Sequence, residues 1–171
     1  NSRRKARRNI SDMHAITQNV PAEWSFVSAR TYADPFNDVE LDVVFTGENG
    51  KQIRVPAFWA GDSIWRVRFS TAESGRFAYR TVCSDQSNSD LHGIEGQFQV
   101  TPYTGSNPLY QHGPIRVAAD KRHFEHADGT PFFWLADTQW MGLCKRLGWP
   151  EEFQTLANDR AHKGFSVVQI V

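Results

Sequence analysis

The chain has 171 residues, 40% of them hydrophobic, with 12 Phe and 6 Trp. That is enough apolar material for a packed core, and it excludes a chain that is disordered throughout. Five of the 19 basic residues lie within residues 1–8, which leaves 14 basic against 19 acidic residues in the remainder. An acidic body argues against nucleic acid as a partner. The sequence contains no apolar run of about 18 residues, so no membrane span is predicted.

Residues 1–20 are polar and lack a convincing period, and the basic cluster lies at their start. Like charges at a terminus repel one another and disfavour ordered packing. We therefore expect residues 1–20 to form a disordered basic arm.

Residues 21–103 have the pattern of an antiparallel β-sandwich. Apolar and polar residues alternate, most clearly at Val39, Leu41, Val43 and Phe45, and turn signals recur every 8–12 residues, about the spacing typical of sandwiches. Trp59 and Trp65 are candidates for the core. Residues 33–37 are predicted to be a loop, and the predicted strands are 23–32, 39–45, 51–59, 64–69, 76–82 and 93–100.

Residues 104–119 are predicted to be a linker or crossing loop, and residues 120–171 a strand–helix–strand unit. Short strands are expected at 115–117 and 122–126, followed by a turn at Asp128-Gly129 and a buried strand at Phe132–Ala136. Pro150 opens a helical pattern through His162, with Glu151 and Glu152 as first-turn acids. Gly164 ends it before an apolar strand at 165–171. One βαβ unit cannot cover both faces of its sheet, which indicates a larger fold.

The segments Asp128–Trp140 and Asp159–Gln169 resemble the start of the apiosidase-like (DUF4038-type) glycoside hydrolase catalytic domain. That family usually has Gly-Asp-Thr-Ala-Trp where this chain has Ala136-Asp137-Thr138-Gln139-Trp140. It usually has Lys-Gly-Phe-Asn where this chain has Ser166 in the last position. Segments 36–41, 57–61, 65–69, 75–79 and 96–98 resemble the DUF5060-type β-sandwich that commonly precedes this domain.

The resemblance implies an antiparallel β-sandwich followed by the first β-α-β portion of a (β/α)8 TIM barrel. It implies a two-carboxylate glycoside hydrolase acting on plant or microbial polysaccharide side chains, without a cofactor. The catalytic acids would lie on later strands, so no catalytic residue is assigned here and the chain alone is expected to be inactive. The expected partners are carbohydrate and either the missing remainder of the barrel or another copy of the chain. A secreted or periplasmic location is favoured.

The candidate substrate-binding residues are Asp137, Thr138, Trp140 and Gln169, because the active site of such a barrel lies at the C-terminal ends of its strands. From the residues alone, two roles for Asp137 are equally supported. It is either a carboxylate that binds sugar hydroxyls or one that caps a turn or a helix. Trp140 is either a stacking platform for a sugar or a lid over the core. Gln169, within an apolar strand, is expected to be a buried polar group that needs partners.

No metal site is predicted. His123 and His126 would point to opposite faces of a strand, so they cannot converge on one ion. Cys83 and Cys144 have no metal-type spacing, and a free pair is favoured over a disulfide.

Three functional hypotheses remain from the sequence. The chain is part of a glycoside hydrolase, or a non-catalytic sandwich module that binds carbohydrate or protein, or a sandwich that only braces a barrel.

Overall fold

The computed structural model describes residues 14–140 and 142–171, so the basic cluster within residues 1–8 lies outside the described residues. The chain divides into two compact units, Asn1–Gly113 and Pro114–Val171. Each unit has its own sheets.

The described residues of the first unit form a sandwich of two sheets. A five-stranded sheet has the order β1-β8-β7-β3-β4, and a three-stranded sheet has the order β2-β6-β5. The strands are β1 (His14–Thr17), β2 (Ala22–Val27), β3 (Leu41–Gly47), β4 (Gln52–Pro56), β5 (Phe58–Trp59), β6 (Ile64–Phe69), β7 (Gly75–Cys83) and β8 (Glu95–Thr101), with short helices α1 (Pro35–Asp38) and α2 (Pro108–Gln111).

Alternating side chains from the two sheets fill the space between them. The predicted inward face of β3 is confirmed, since Val39, Leu41, Val43 and Phe45 are all buried. The ring of Phe45 stacks on that of Phe69 in β6, with centroids 4.0 Å apart and planes 13° apart. Apolar area removed from water in this layer is the main source of stability. The predicted β-sandwich is therefore present.

The prediction that residues 1–20 form a disordered arm is wrong from His14 onward. His14–Thr17 form β1, which pairs in parallel with β8, so the sandwich is not purely antiparallel. Ile16 is buried in the core. Two backbone hydrogen bonds continue this attachment, from Gln18 N–H to the Thr101 carbonyl and from Asn19 N–H to the Thr71 carbonyl, each 2.8 Å. The segment escaped prediction because its single large apolar residue gives no detectable period.

The single strand predicted at 51–59 is two strands in different sheets. β4 pairs with β3, whereas β5 pairs with β6, and the chain crosses between the sheets at Ala57. Trp65 is buried as predicted, but Trp59 lies at the sheet edge and is 38% exposed, so it is not a core residue. The loop predicted at 33–37 is replaced in part by the short helix α1, whose Asp34 accepts the N-capping hydrogen bond.

The described residues of the second unit form two small sheets and one helix. Strands β9 (Ile115–Val117), β10 (Phe124–His126) and β11 (Pro131–Phe132) form an antiparallel sheet. Strands β12 (Ala136–Gln139) and β13 (Val167–Ile170) pair in parallel, and helix α3 (Glu151–His162) connects them. The predicted strand–helix–strand unit is therefore present, and Gly164 follows the helix in the left-handed region with φ +82°.

The strand predicted at Phe132–Ala136 is wrong in position. Phe132 ends the hairpin strand β11, and the parallel strand begins only at Ala136. Between them Phe133 and Trp134 are exposed. Consequently Asp137 and Thr138 lie within a strand rather than after its end.

Candidate functional site

The parallel pair β12–β13 presents two different faces. The register places Ala136 beside Val167 and Thr138 beside Gln169. Because side chains alternate along a strand, these four residues project from one face, called here the open face. Thr138 and Gln169 are both exposed on it. Thr138 and Gln169, two of the four predicted site residues, are thus adjacent. The expectation that Gln169 is buried is wrong, because its side chain is exposed.

Asp137 projects from the opposite face, toward α3. Its Oδ2 accepts a hydrogen bond from Arg160 Nε at 2.5 Å. Arg160 also donates to Asp159 Oδ2 at 2.6 Å, and its guanidinium lies over the ring of Phe165, 5.5 Å from the centroid. The hydrogen bond to Asp137 raises the pKa of Arg160 above its ordinary value. Asp137 therefore joins strand to helix, and the turn or capping role considered for it is wrong.

Breaking this ion pair should loosen the βαβ unit. We expect Asp137→Asn and Arg160→Gln each to lower the melting temperature, because the first weakens one of the two charged contacts of Arg160 and the second leaves the partly shielded Asp137 carboxylate without its donor. The double variant should lose less than the two losses added together. Thermal unfolding followed by circular dichroism measures all three values.

Arg122→Gln is a matched control, since Arg122 is an exposed arginine of the same unit. An Arg160→Gln melting temperature equal to that of the control would show that the strand–helix pair contributes nothing.

Two exposed tryptophans flank the loop that follows β12. Trp140 comes directly after the strand and is 70% exposed, so it does not act as a lid over the core. Trp149 is also exposed, and its ring lies 5.1 Å from that of Phe153 in α3. Sequence reasoning missed Trp149, although a tryptophan between a strand and the start of its crossover helix is a recognisable signal.

Gln139 is a second residue that sequence reasoning missed. Its side chain is buried, and its Oε1 has no hydrogen-bond partner within residues 14–140 and 142–171. A Cβ atom added to Gly142 would come 2.9 Å from that Oε1, so the loop backbone passes close to it. A buried amide oxygen without a partner is costly, and it needs a donor such as water or a ligand.

The remaining acids of the βαβ unit lie on helix α3. Glu151 and Glu152 lie in the first turn of α3, as predicted. Glu152 Oε2 accepts the Gly148 N–H at 2.6 Å, which ties the loop to the helix start. Among the described residues of β12 and β13, the open face carries no carboxylate.

A polar cluster at one end of the sandwich is internally satisfied. Asn88 donates to Ser28 Oγ and to the Tyr32 hydroxyl, at 2.9 and 2.8 Å. Asp85 accepts from Ser87, Tyr32 and Arg30, and these hydrogen bonds hold the pKa of its carboxyl well below the ordinary range. With its groups already paired, this cluster fixes two loops together rather than offering a binding site.

The cysteines and histidines show no site chemistry. Cys83 and Cys144 are both free thiols; Cys83 is buried, which raises its pKa, and Cys144 is only partly buried. Within the described part of the chain, no group of three or more His, Cys, Asp or Glu is arranged to hold a metal ion. The described helices include none that is long and apolar enough to span a membrane.

Two family models match this chain. Residues 16–84 match a domain of unknown function, DUF5060. Residues 118–171 match the apiosidase-like catalytic domain. The two matches fall in different compact units, and the second includes the whole of β12, α3 and β13. No curated protein matches the sequence at a significant level.

A solved structure has the same fold over most of the chain. It is the 1.80 Å crystal structure of a candidate glycoside hydrolase from Bacteroides vulgatus ATCC 8482, with a TM-score of 0.71 and 24% sequence identity. The similarity covers 92% of this chain and 28% of that one. This chain therefore spans little more than a quarter of the protein to which it is similar, and the likeness shows the fold.

Proposed function

We propose that this chain, which matches the DUF5060 model over residues 16–84 and the apiosidase-like catalytic-domain model over residues 118–171, is the N-terminal portion of a glycoside hydrolase. Its second unit would contribute the first two strands of a (β/α)8 barrel. The substrate class would be the side chains of plant or microbial polysaccharides.

The observation that carries the proposal is the placement of Thr138 beside Gln169. Both lie near the carboxyl ends of parallel strands joined by a helix, the edge at which barrels of this kind bind substrate. The helix packs on the other face through Arg160 and Asp137, and in the proposed barrel the open face would be the interior. A hydroxyl and an amide together supply donors and acceptors suited to sugar hydroxyls.

Trp140 completes this binding surface in the proposal. Its exposed ring follows β12 directly, and an aromatic face stacks on the C–H face of a sugar ring. Asp137 would contribute indirectly, by holding β12 to α3, while its carboxylate remains engaged by Arg160.

The chemistry requires two carboxylates about 5–9.5 Å apart on either side of the glycosidic bond. The described part of the open face supplies none, so the acid and the base or nucleophile would come from strands outside this chain. The role of Thr138, Trp140 and Gln169 is then to bind and orient the sugar, not to transfer protons.

The test compares the 171-residue chain with the same chain extended by the remainder of its reading frame. We expect no turnover of aryl glycosides by the shorter protein and hydrolysis by the longer one. In the longer protein, Gln169→Leu should lower kcat/KM about tenfold, the cost of roughly one substrate hydrogen bond. Glu151→Gln, on the outer helix, is the matched control and should retain activity.

Turnover by the 171-residue chain alone would refute the assignment of the catalytic acids to other strands. Six further βα units with two acids at strand ends would support the hydrolase, whereas a stop codon after Val171 would favour a non-catalytic sandwich module. Exposed Trp134 and Ile170 support association with the rest of the barrel or with a second copy. A monodisperse monomer in solution would contradict that association.

A further inference from the structure

The three-stranded sheet of β9, β10 and β11 has one apolar face. The register places Phe124 opposite both Val117 and Phe132, so these three side chains project from the same face. Ile115 shares that face with Val117, because side chains alternate along a strand. The ring of Trp134 packs on those of Phe124 and Phe132, with centroids 5.1 and 6.1 Å apart. These five residues are called here the hairpin face.

The hairpin face is largely in contact with water. Four of its five side chains are large, apolar and exposed: Ile115 40%, Val117 58%, Phe124 37% and Trp134 47%. The opposite face of the same sheet is polar, since Arg116 and Glu125 lie opposite each other and form an ion pair at 2.9 Å. An antiparallel sheet with one polar and one apolar face packs its apolar face on a core. A patch of this kind marks a surface that another part of the protein covers.

The sheet that carries the hairpin face is attached where the two parallel strands begin. Residues 133–135 alone separate β11 from β12. Ser166, directly before β13, donates from Oγ to the Phe133 carbonyl at 2.7 Å and from its N–H to the Leu135 carbonyl at 3.0 Å. Trp134 belongs to this connection and packs on the hairpin face, so the chain passes over that face on its way into β12. The hairpin face is therefore next to the N-terminal ends of the parallel strands, away from the proposed sugar-binding residues.

The extent of the family matches indicates which part of the protein covers this face. The match to the apiosidase-like catalytic domain begins at residue 118 and includes β10 and β11, whereas the DUF5060 match ends at residue 84. The hairpin thus belongs with the parallel strands rather than with the sandwich. The similar solved structure is much longer, because this chain matches only 28% of it. The interior of a (β/α)8 barrel is a packed apolar core, and the starts of its strands surround one end of that core.

We propose that the hairpin face covers the N-terminal end of the barrel, packing on the apolar starts of the strands that follow β13 in the complete protein. The inference rests on the proposed function, which supplies the barrel. The cover would close the interior at this end. A sugar would then reach Thr138 and Gln169 only from the end at which the strands finish.

The experiment measures how fast a thiol on the hairpin face reacts with a maleimide. Val117→Cys is introduced into the 171-residue chain and into the chain extended by the remainder of its reading frame. Peptide mass spectrometry separates labelling at position 117 from labelling at Cys83 and Cys144. We expect position 117 to react about tenfold or more slowly in the extended protein, because a covered site reacts only when the structure opens locally.

Arg116→Cys is the matched control, since Arg116 is the adjacent residue on the opposite face and its side chain is 59% exposed. It should react at the same rate in both proteins. Ile115→Cys is a second reporter on the hairpin face and should be slowed like Val117→Cys. Equal rates for Val117→Cys at the two lengths would overturn the proposal. Slow labelling of the 171-residue chain that speeds up on dilution would assign the face to a second copy and would also overturn it.

Turnover of aryl glycosides, measured on the same extended protein, separates this inference from the proposed function. Hydrolysis together with a fully reactive position 117 would refute the cover and leave the hydrolase assignment intact. Protection of position 117 without hydrolysis would support the cover while the proposed function fails.

Discussion

Phe45→Ala should destabilise the sandwich by about 3–5 kcal/mol, the range for removing a large aromatic side chain from a packed core. Phe45 is fully buried. Its ring stacks on Phe69 of the opposite sheet and lies 5.4 Å from Trp24 and 6.0 Å from Phe98. Alanine would leave a cavity between the two sheets that these rings cannot close. Urea denaturation followed by circular dichroism measures the loss.

Phe36→Ala provides the comparison, since it removes the same side chain from an exposed position and should cost less than about 1 kcal/mol. Similar midpoints for the two variants would mean that the Phe45–Phe69 contact does not form the centre of the core. The contrast also separates the two uses of phenylalanine in this unit, one within the core and one on its surface.

Ile16→Ala should destabilise the sandwich by about 2–5 kcal/mol, because Ile16 is a buried residue of an edge strand. The change removes apolar contacts from the one side chain by which β1 enters the core. β1 would then be held mainly by its backbone pairing with β8 and by the hydrogen bond from Thr101 Oγ1 to the Ile16 carbonyl, 3.2 Å. Urea denaturation followed by circular dichroism measures this loss of unfolding free energy as well.

Ala15→Ser tests the neighbouring exposed position and should change stability by no more than about 0.5 kcal/mol. If Ile16→Ala lost as little unfolding free energy as Ala15→Ser, β1 would contribute nothing to the stability of the sandwich. The prediction that residues 14–20 belong to a disordered arm would then regain support.

Sequence patterns predicted those parts of the fold that neighbouring residues determine by themselves. The face of β3 followed directly from alternation, because one side of that strand is core and the other is solvent. The start of α3 followed from Pro150 and two acids, and its end from Gly164, since only glycine enters the left-handed region without strain. Each of these features is decided by residues close together in the chain.

The predictions failed where distant residues decide the structure. An apolar run at Phe132–Ala136 indicated a buried strand, yet Phe132 completes a hairpin while Phe133 is exposed. The true strand includes Asp137, a residue disfavoured in strands, and Arg160 supplies its partner from 23 positions away. The open face was predicted only in part, because the register that places Thr138 beside Gln169 depends on the whole crossover.

The pairing of β1 with β8 has a kinetic consequence. Strand β1, near the start of the described chain, pairs with β8, the last strand of the sandwich. His14 therefore lies beside Phe98, and Thr17 beside Thr101. Contacts between residues so far apart in sequence carry a large loop-closure cost and slow folding. On the ribosome, β1 has no partner until Thr101 has emerged. The sandwich should therefore complete its native strand pairing only after residue 101 has been synthesised.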